Sequence, residues 1–212
     1  MVRKSLLVCG ILSSLLYVAM NVFVPMRYEG YSSVSQTISE LSAVGAPTRP
    51  LWMALGFVYT LLVTAFGWGV WASAHGNRRL RVVGGLVVAY GLSGFAWPFA
   101  PMHQRAVLAA GGGTLSDTIH LVLGGVTVLM YLIALGFGAA AFGRRFRIYS
   151  IATMATLIAF GVLVGLDAPK IGANQPTPWV GVTERINIGV FLLWVVVLAM
   201  TLLRARKEDD PE

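Results

Sequence analysis

Asp117 and His120 stand three residues apart, so on a helix they share one face. A carboxylate beside an imidazole at that spacing can position a general base or supply two metal ligands. Other groups suited to the same chemistry are His103, Ser35, Ser39 and Glu40, and then Asp167, Glu184 and Arg185. These nine residues form the candidate ligand-binding set. Two ligands fall short of a zinc site, and the sequence has no His-x-x-x-His pair, so spacing alone assigns neither metal nor cofactor. Each residue also has a plainer reading. His120 can be a hydrogen-bonded structural histidine, and Arg185 can extend its charge to a lipid phosphate or pair with Asp167 or Asp117.

The elements that must hold these residues are membrane helices. Of 212 residues, 57% are hydrophobic and only 12% are charged. That apolar share is about what six spans of ~20 residues require. The runs fall at about 5–26, 51–73, 82–101, 117–142, 148–167 and 185–203, and none carries a charge in its interior. Continuous runs exclude a barrel, whose strands alternate over ~10 residues. The fold class is therefore all-α, a six-transmembrane-helix bundle in a single domain covering 1–212. A soluble enzyme, a disordered chain and a disulfide-stapled secreted domain are excluded. Cys9, the one cysteine, has no partner for an intramolecular bridge and reads as a small packing residue. Arg3 and Lys4 precede an apolar run too long for a signal peptide, with no Ala-x-Ala-like site, so that run reads as a retained helix.

Basic residues set the orientation. One side of the breaks holds Arg3, Lys4, Arg78, Arg79, Arg81, Arg144, Arg145, Arg147, Arg204, Arg206 and Lys207, against Arg27, Arg49, Arg105, Lys170 and Arg185 on the other. The positive-inside rule puts both termini in the cytoplasm. The net charge of +7 comes from those inner clusters, which are too short to suggest nucleic acid and suit lipid phosphates instead. Gly161 with Gly165, the glycines at 91 and 94, and Gly124 with Gly125 read as close-packing positions.

Polar chemistry collects on the outer side, in connections at about 27–50, 102–116 and 168–184. In the first, Val34, Ile38 and Leu41 line one helical face, and Gly45 with Pro47 ends the run. This predicts a short amphipathic helix over 33–43, capped from Ser33 and presenting Ser35, Ser39 and Glu40 on its other face. Thr114 or Ser116 caps the fourth span, with Asp117 in its first turn, and Thr183 caps the sixth, with Glu184 in its first turn. The triplet Gly111 to Gly113 lacks the strand-then-helix setting and the Lys-Ser/Thr of a phosphate loop. Glu40, His120 and Arg185 are expected in one polar cavity beneath the first outer loop.

The stretch Tyr31-Ser32 followed by Ser35-Gln36-Thr37-Ile38-Ser39-Glu40-Leu41 and Gly45-Ala46-Pro47-Thr48-Arg49 resembles the first outer loop of a prokaryotic membrane family, the domain of unknown function 998. His120 and Gly181-Val182-Thr183-Glu184-Arg185 are similar to that family as well. The resemblance spans nearly the whole chain. It implies a six-helix bundle in a prokaryotic inner membrane, and it supplies no established activity. Three classes of function remain. The leading one is a membrane protein that binds or moves a lipid head group or small amphiphile in an outward-facing polar pocket. The second is a membrane-embedded hydrolase or transferase, metal-assisted through His120, Asp117 and either His103 or Glu40. The third is an accessory subunit whose outer groups serve as caps and anchors.

Overall fold

In the computed structural model, residues 2–209 are described, with side chains through Ala205. The chain is helical throughout: α1 (Val2–Phe23), α2 (Arg49–Ala72), α3 (Arg78–Ser93), a short α4 (Arg105–Ala109), α5 (Leu115–Ala141), α6 (Arg144–Gly172) and α7 (Val180–Asp209). All but α4 are long and apolar enough to cross a membrane, with α3 continued by a 3-10 segment, Gly94–Phe99. These six helices match the six apolar runs read from the sequence, and the chain is a multi-pass membrane protein. The expected break at 168 is not an end, because α6 runs through Pro169 to Gly172.

The spans form a closed ring in chain order, each packed on its sequence neighbour, with α1 returning against α7. The short connections at 73–77, 142–143 and 173–179 force antiparallel neighbours at those three places. In lipid, apolar burial gives little drive for helices to associate, so close packing must supply it. The tightest example joins α2 to α3. A Cβ on Gly84 would sit 2.6 Å from the Trp71 backbone nitrogen, and one on Gly67 would sit 2.6 Å from that of Val88. Gly91 and Gly94 meet Thr64 and Thr60 in the same seam. By contrast, Gly124, Gly125 and Gly165 have open space where a Cβ would go, and Gly161 meets only the Asn187 amide at 3.2 Å. Of the packing positions expected on α5 and α6, Gly161 is therefore in close contact while Gly124, Gly125 and Gly165 are not, and on α5 the close approach falls at Gly138, against the Trp194 ring.

Aromatic rings fill the ring's centre. Tyr131 stacks on Phe191 with centroids 3.6 Å apart, and Tyr90 meets Tyr131 edge-on at 4.9 Å. Tyr59 packs against Tyr17 at 4.9 Å, and the Tyr59 and Tyr90 hydroxyls hydrogen-bond at 2.7 Å. Trp194, fully buried, donates its indole N–H to Ser150. A buried phenol or indole needs a polar partner, and Tyr59, Tyr90 and Trp194 find one within the bundle. The bundle axis is closed at this level.

Orientation across the membrane is the charge rule's prediction. A cysteine at exposed Val44, in a Cys9→Ser background, is expected to react with a membrane-impermeant maleimide added outside intact cells. Reaction only after the cytoplasmic face is opened would reverse the topology.

Candidate functional site

The end of the bundle opposite the termini, which the charge rule makes the outer end, is built around residues 31–42. Helix is confined there to a 3-10 turn, Ile38–Ser42, rather than extending over 33–43. Upstream, side chains compete with a helical backbone: the Gln36 side-chain carbonyl accepts from the Ser32 N–H at 2.8 Å, and the Ser32 hydroxyl accepts from the Ser35 N–H at 3.3 Å. The helix start falls at Thr37, whose N–H donates to the Glu40 carboxylate at 2.7 Å. Ile38 and Leu41 are buried as the pattern predicted, whereas Val34 is exposed. Gly45, at φ +80°, takes the left-handed conformation that lets the chain turn into α2.

Glu40 is the hub of this cap. Arg105, at the start of α4, clamps it with two bonds, Nε to Oε1 at 2.7 Å and Nη2 to Oε2 at 2.8 Å. Such a paired fork is the strong form of a carboxylate contact. Arg105 also donates to the Thr177 hydroxyl at 2.7 Å and the Ser35 carbonyl at 3.1 Å, joining the three outer connections. Burial works to raise the Glu40 pKa, but the bonds from Arg105, Thr37 and Gln36 outweigh it and hold the carboxyl below its ordinary value.

A second tie comes from α5. The Ala100 carbonyl can only accept, so His120 Nδ1 carries the proton bonded to it at 2.8 Å. In the neutral ring, Nε2 then accepts from the Ser39 hydroxyl at 2.9 Å. Asp117 does not join His120. It accepts from the His103 N–H at 2.7 Å, meets the His103 ring at 2.9 Å and caps Thr114.

The third tie is Arg185 on α7. It donates to the Ser33 carbonyl at 2.9 Å, the Gly181 carbonyl at 3.0 Å and the Tyr31 hydroxyl at 2.8 Å. The Tyr31 phenol, pushed up to about 12 by burial against the opposing pull of Arg185, stays protonated and donates to the Thr37 carbonyl at 2.8 Å. Glu184 accepts from the Ile38 N–H at 2.5 Å. Arg185 therefore pairs with neither Asp167 nor Asp117. Asp167 takes Lys170, one turn on, at an exposed site apart from the rest.

Glu40, His120 and Arg185 thus converge on one segment, but on different parts of it, and they do not face a common cavity. Two recesses flank that segment. A water-facing depression of about 450 Å³ has a mixed lining that includes Ser35, Gln36, Arg105, Asn174 and Thr177. A lipid-facing groove of about 220 Å³ runs between α1 and α7, lined by Tyr17, Asn21, Ile38, Arg185, Ile188 and Gly189 among others. No three His, Cys, Asp or Glu side chains among the described residues cluster to hold a metal ion. The sequence did not single out Arg105, Tyr31, Thr177 or Asn21 as site residues. Arg105 carried the one available signal, being an isolated cation in an outer connection.

Six membrane-capable helices closed into a ring, with a hydrogen-bonded cap at one end, define an integral membrane protein of the helical-bundle class. The family model described as "Protein of unknown function (DUF998)" matches residues 11–201, and the chain belongs to that family. No curated protein and no solved structure matches it.

Proposed function

We propose that this protein binds an amphiphile of the cell membrane at its outer end, with the polar head toward water and the apolar tail toward lipid. One observation carries the reading: a recess with a half-polar lining and a mostly apolar one share residues 35–38 as a common wall. Ser35 and Gln36 line the water-facing depression, and Ile38 and Arg185 line the apolar groove. Arg185 bridges them, since its guanidinium also reaches the Gln36 carbonyl at 3.3 Å. Ligand sites are concave, largely apolar and fitted with a few placed polar groups, and an amphiphile matches that division. The aromatic filling of the axis favours sideways access over conduction through the centre. Native mass spectrometry of protein extracted in a neutral detergent tests the reading. A single defined amphiphile retained on most molecules is expected, and a bare chain or a random ladder of bulk lipids would reject it.

A second reading rests on the Ser39–His120 bond. A hydroxyl 2.9 Å from an imidazole whose other nitrogen is fixed by a carbonyl has the form of a nucleophile with its base. A fluorophosphonate probe labelling wild type but not Ser39→Ala would favour a hydrolase. Absence of labelling leaves that bond the task of anchoring the cap to α5.

A further inference from the structure

Two residues that line the apolar groove each hold a buried polar atom with no hydrogen-bond partner. Asn21 donates through Nδ2 to the Tyr17 carbonyl one turn back, at 3.0 Å, which leaves Oδ1 unpaired and buried. Arg185 spends its terminal nitrogens on carbonyls and the Tyr31 hydroxyl, which leaves Nε–H unpaired and buried. Both residues line the same groove between α1 and α7. Leaving a buried group of this kind unpaired is costly, more so when it is charged, so an unmet acceptor and an unmet donor on residues that line one recess point to a ligand.

The character of the groove narrows that ligand. At about 220 Å³ it holds roughly seven water volumes. Its other lining is apolar, and an apolar recess of that size does not fill with ordered water. Nor does any carboxylate lie within 4.0 Å of the Arg185 guanidinium: the ion pairs among the described residues are His103–Asp117, Arg105–Glu40 and Lys170–Asp167. The unpaired Nε–H of a guanidinium with no carboxylate in direct contact favours an anionic oxygen as its acceptor. Asn21 Oδ1 requires an O–H or N–H. Gly189 has nothing within 4 Å of where its Cβ would sit, which leaves the groove wall open beside Ile188.

Resting on the amphiphile reading above, we infer that the α1–α7 groove is a binding site for a single-chain amphiphile whose head carries an anionic oxygen beside a hydroxyl or amide N–H. The anionic oxygen accepts from Arg185 Nε, the neighbouring donor meets Asn21 Oδ1, and the first carbons of the chain lie along Val18, Val22 and Ile188 before it enters the bilayer. A membrane lysolipid and an N-acylated amino acid share this head chemistry.

The test is equilibrium binding of radiolabelled 1-dodecanoyl-glycerol-3-phosphate to the full-length protein in maltoside micelles. N-dodecanoylglycine serves as the alternative source of the same head chemistry. Dodecanoate, which lacks the donor, and monododecanoylglycerol, which lacks the anion, are the controls. Saturable binding of one or both complete heads is expected, at least about tenfold tighter than either control, since one hydrogen bond to a charged group is worth a factor of that order. Asn21→Leu is expected to weaken it about tenfold while leaving the thermal midpoint equal or higher, because an unpaired buried acceptor is removed. Gly189→Leu, filling open space, is expected to abolish it, and Lys170→Ala, at the exposed pair with Asp167 apart from the cap, is expected to leave it unchanged. Binding that survives both groove variants, or controls that bind as tightly, would overturn the groove assignment while leaving amphiphile binding elsewhere intact. No saturable binding of either complete head would overturn it too, and the retained species in native mass spectrometry then decides the broader reading separately.

Discussion

Arg105→Ala is expected to destabilise the outer cap by ~3–5 kcal/mol, the cost of leaving a buried charge without its partner. The Glu40 side chain is 5% exposed and that of Arg105 13%, so little water is available to replace the lost bonds. The same substitution frees the Thr177 hydroxyl and the Ser35 carbonyl. The measurements are the thermal midpoint in detergent and the maleimide reactivity of a cysteine at Ser42, which rises if the cap detaches. The double variant Glu40→Gln/Arg105→Gln is expected to recover much of the loss, because a Gln at the third helical position still accepts from the Thr37 N–H and no charge is left buried. The pair also fixes an acid limit. The folded pKa of Glu40 lies below its unfolded value, so its stabilisation is complete above the ordinary carboxylate pKa of about 4.3 and lost as pH falls through the lower folded value. Wild type should therefore lose cap protection on acidification below about pH 4, and the double Gln variant should lack that transition. An Arg105→Ala protein with unchanged midpoint and cysteine reactivity would show that the clamp does not hold the cap.

Gly84→Leu is expected to have the largest effect on the bundle itself. The added Cβ would come within 2.6 Å of the Trp71 nitrogen and 2.8 Å of its Cα, and backbone cannot move aside as a flexible side-chain end can. Helices α2 and α3 must separate, which removes the contacts that membrane packing depends on. Overpacking costs typically ~1–3 kcal/mol even where side chains give way, and a rigid backbone contact lies at or above the top of that range. Loss of monodisperse protein on size exclusion is the expected readout. Gly124→Leu serves as control, since nothing lies within 4 Å of that position and no loss is expected. Equal behaviour of the two variants would contradict the account of the seam.

The six spans were legible because lipid imposes one strong rule: long apolar runs with charges only at their ends. Helix boundaries were less so, because Pro169 can be carried inside α6 and Gly94–Phe99 tightens into a 3-10 extension of α3. In the first outer connection, the spacing of Ile38 and Leu41 marked the buried face, but Ser32, Ser35 and Gln36 bond locally and prevent the helix from starting at 33. For the site, depth followed from sequence position, whereas partners did not. Asp117 and His120 share a face, yet Asp117 turns to His103 and Thr114 while His120 spans from the Ala100 carbonyl to the Ser39 hydroxyl. Arg105 meets Glu40 across 65 residues of chain and Thr177 across 72, a juxtaposition set by the ring order of the helices. Asn21 lies one turn from Tyr17 on α1, and nothing in its local sequence distinguishes it from an ordinary polar residue near a helix end.

The most direct test of amphiphile binding at the outer end is a cryo-EM structure of wild-type protein in nanodiscs of its native membrane lipids. The account predicts one elongated density between α1 and α7, its head within hydrogen-bond reach of Arg185 Nε and Asn21 Oδ1 and its polar end against residues 35–38. A groove closed by side chains, or annular lipid passing it without any head group at Arg185, would contradict it.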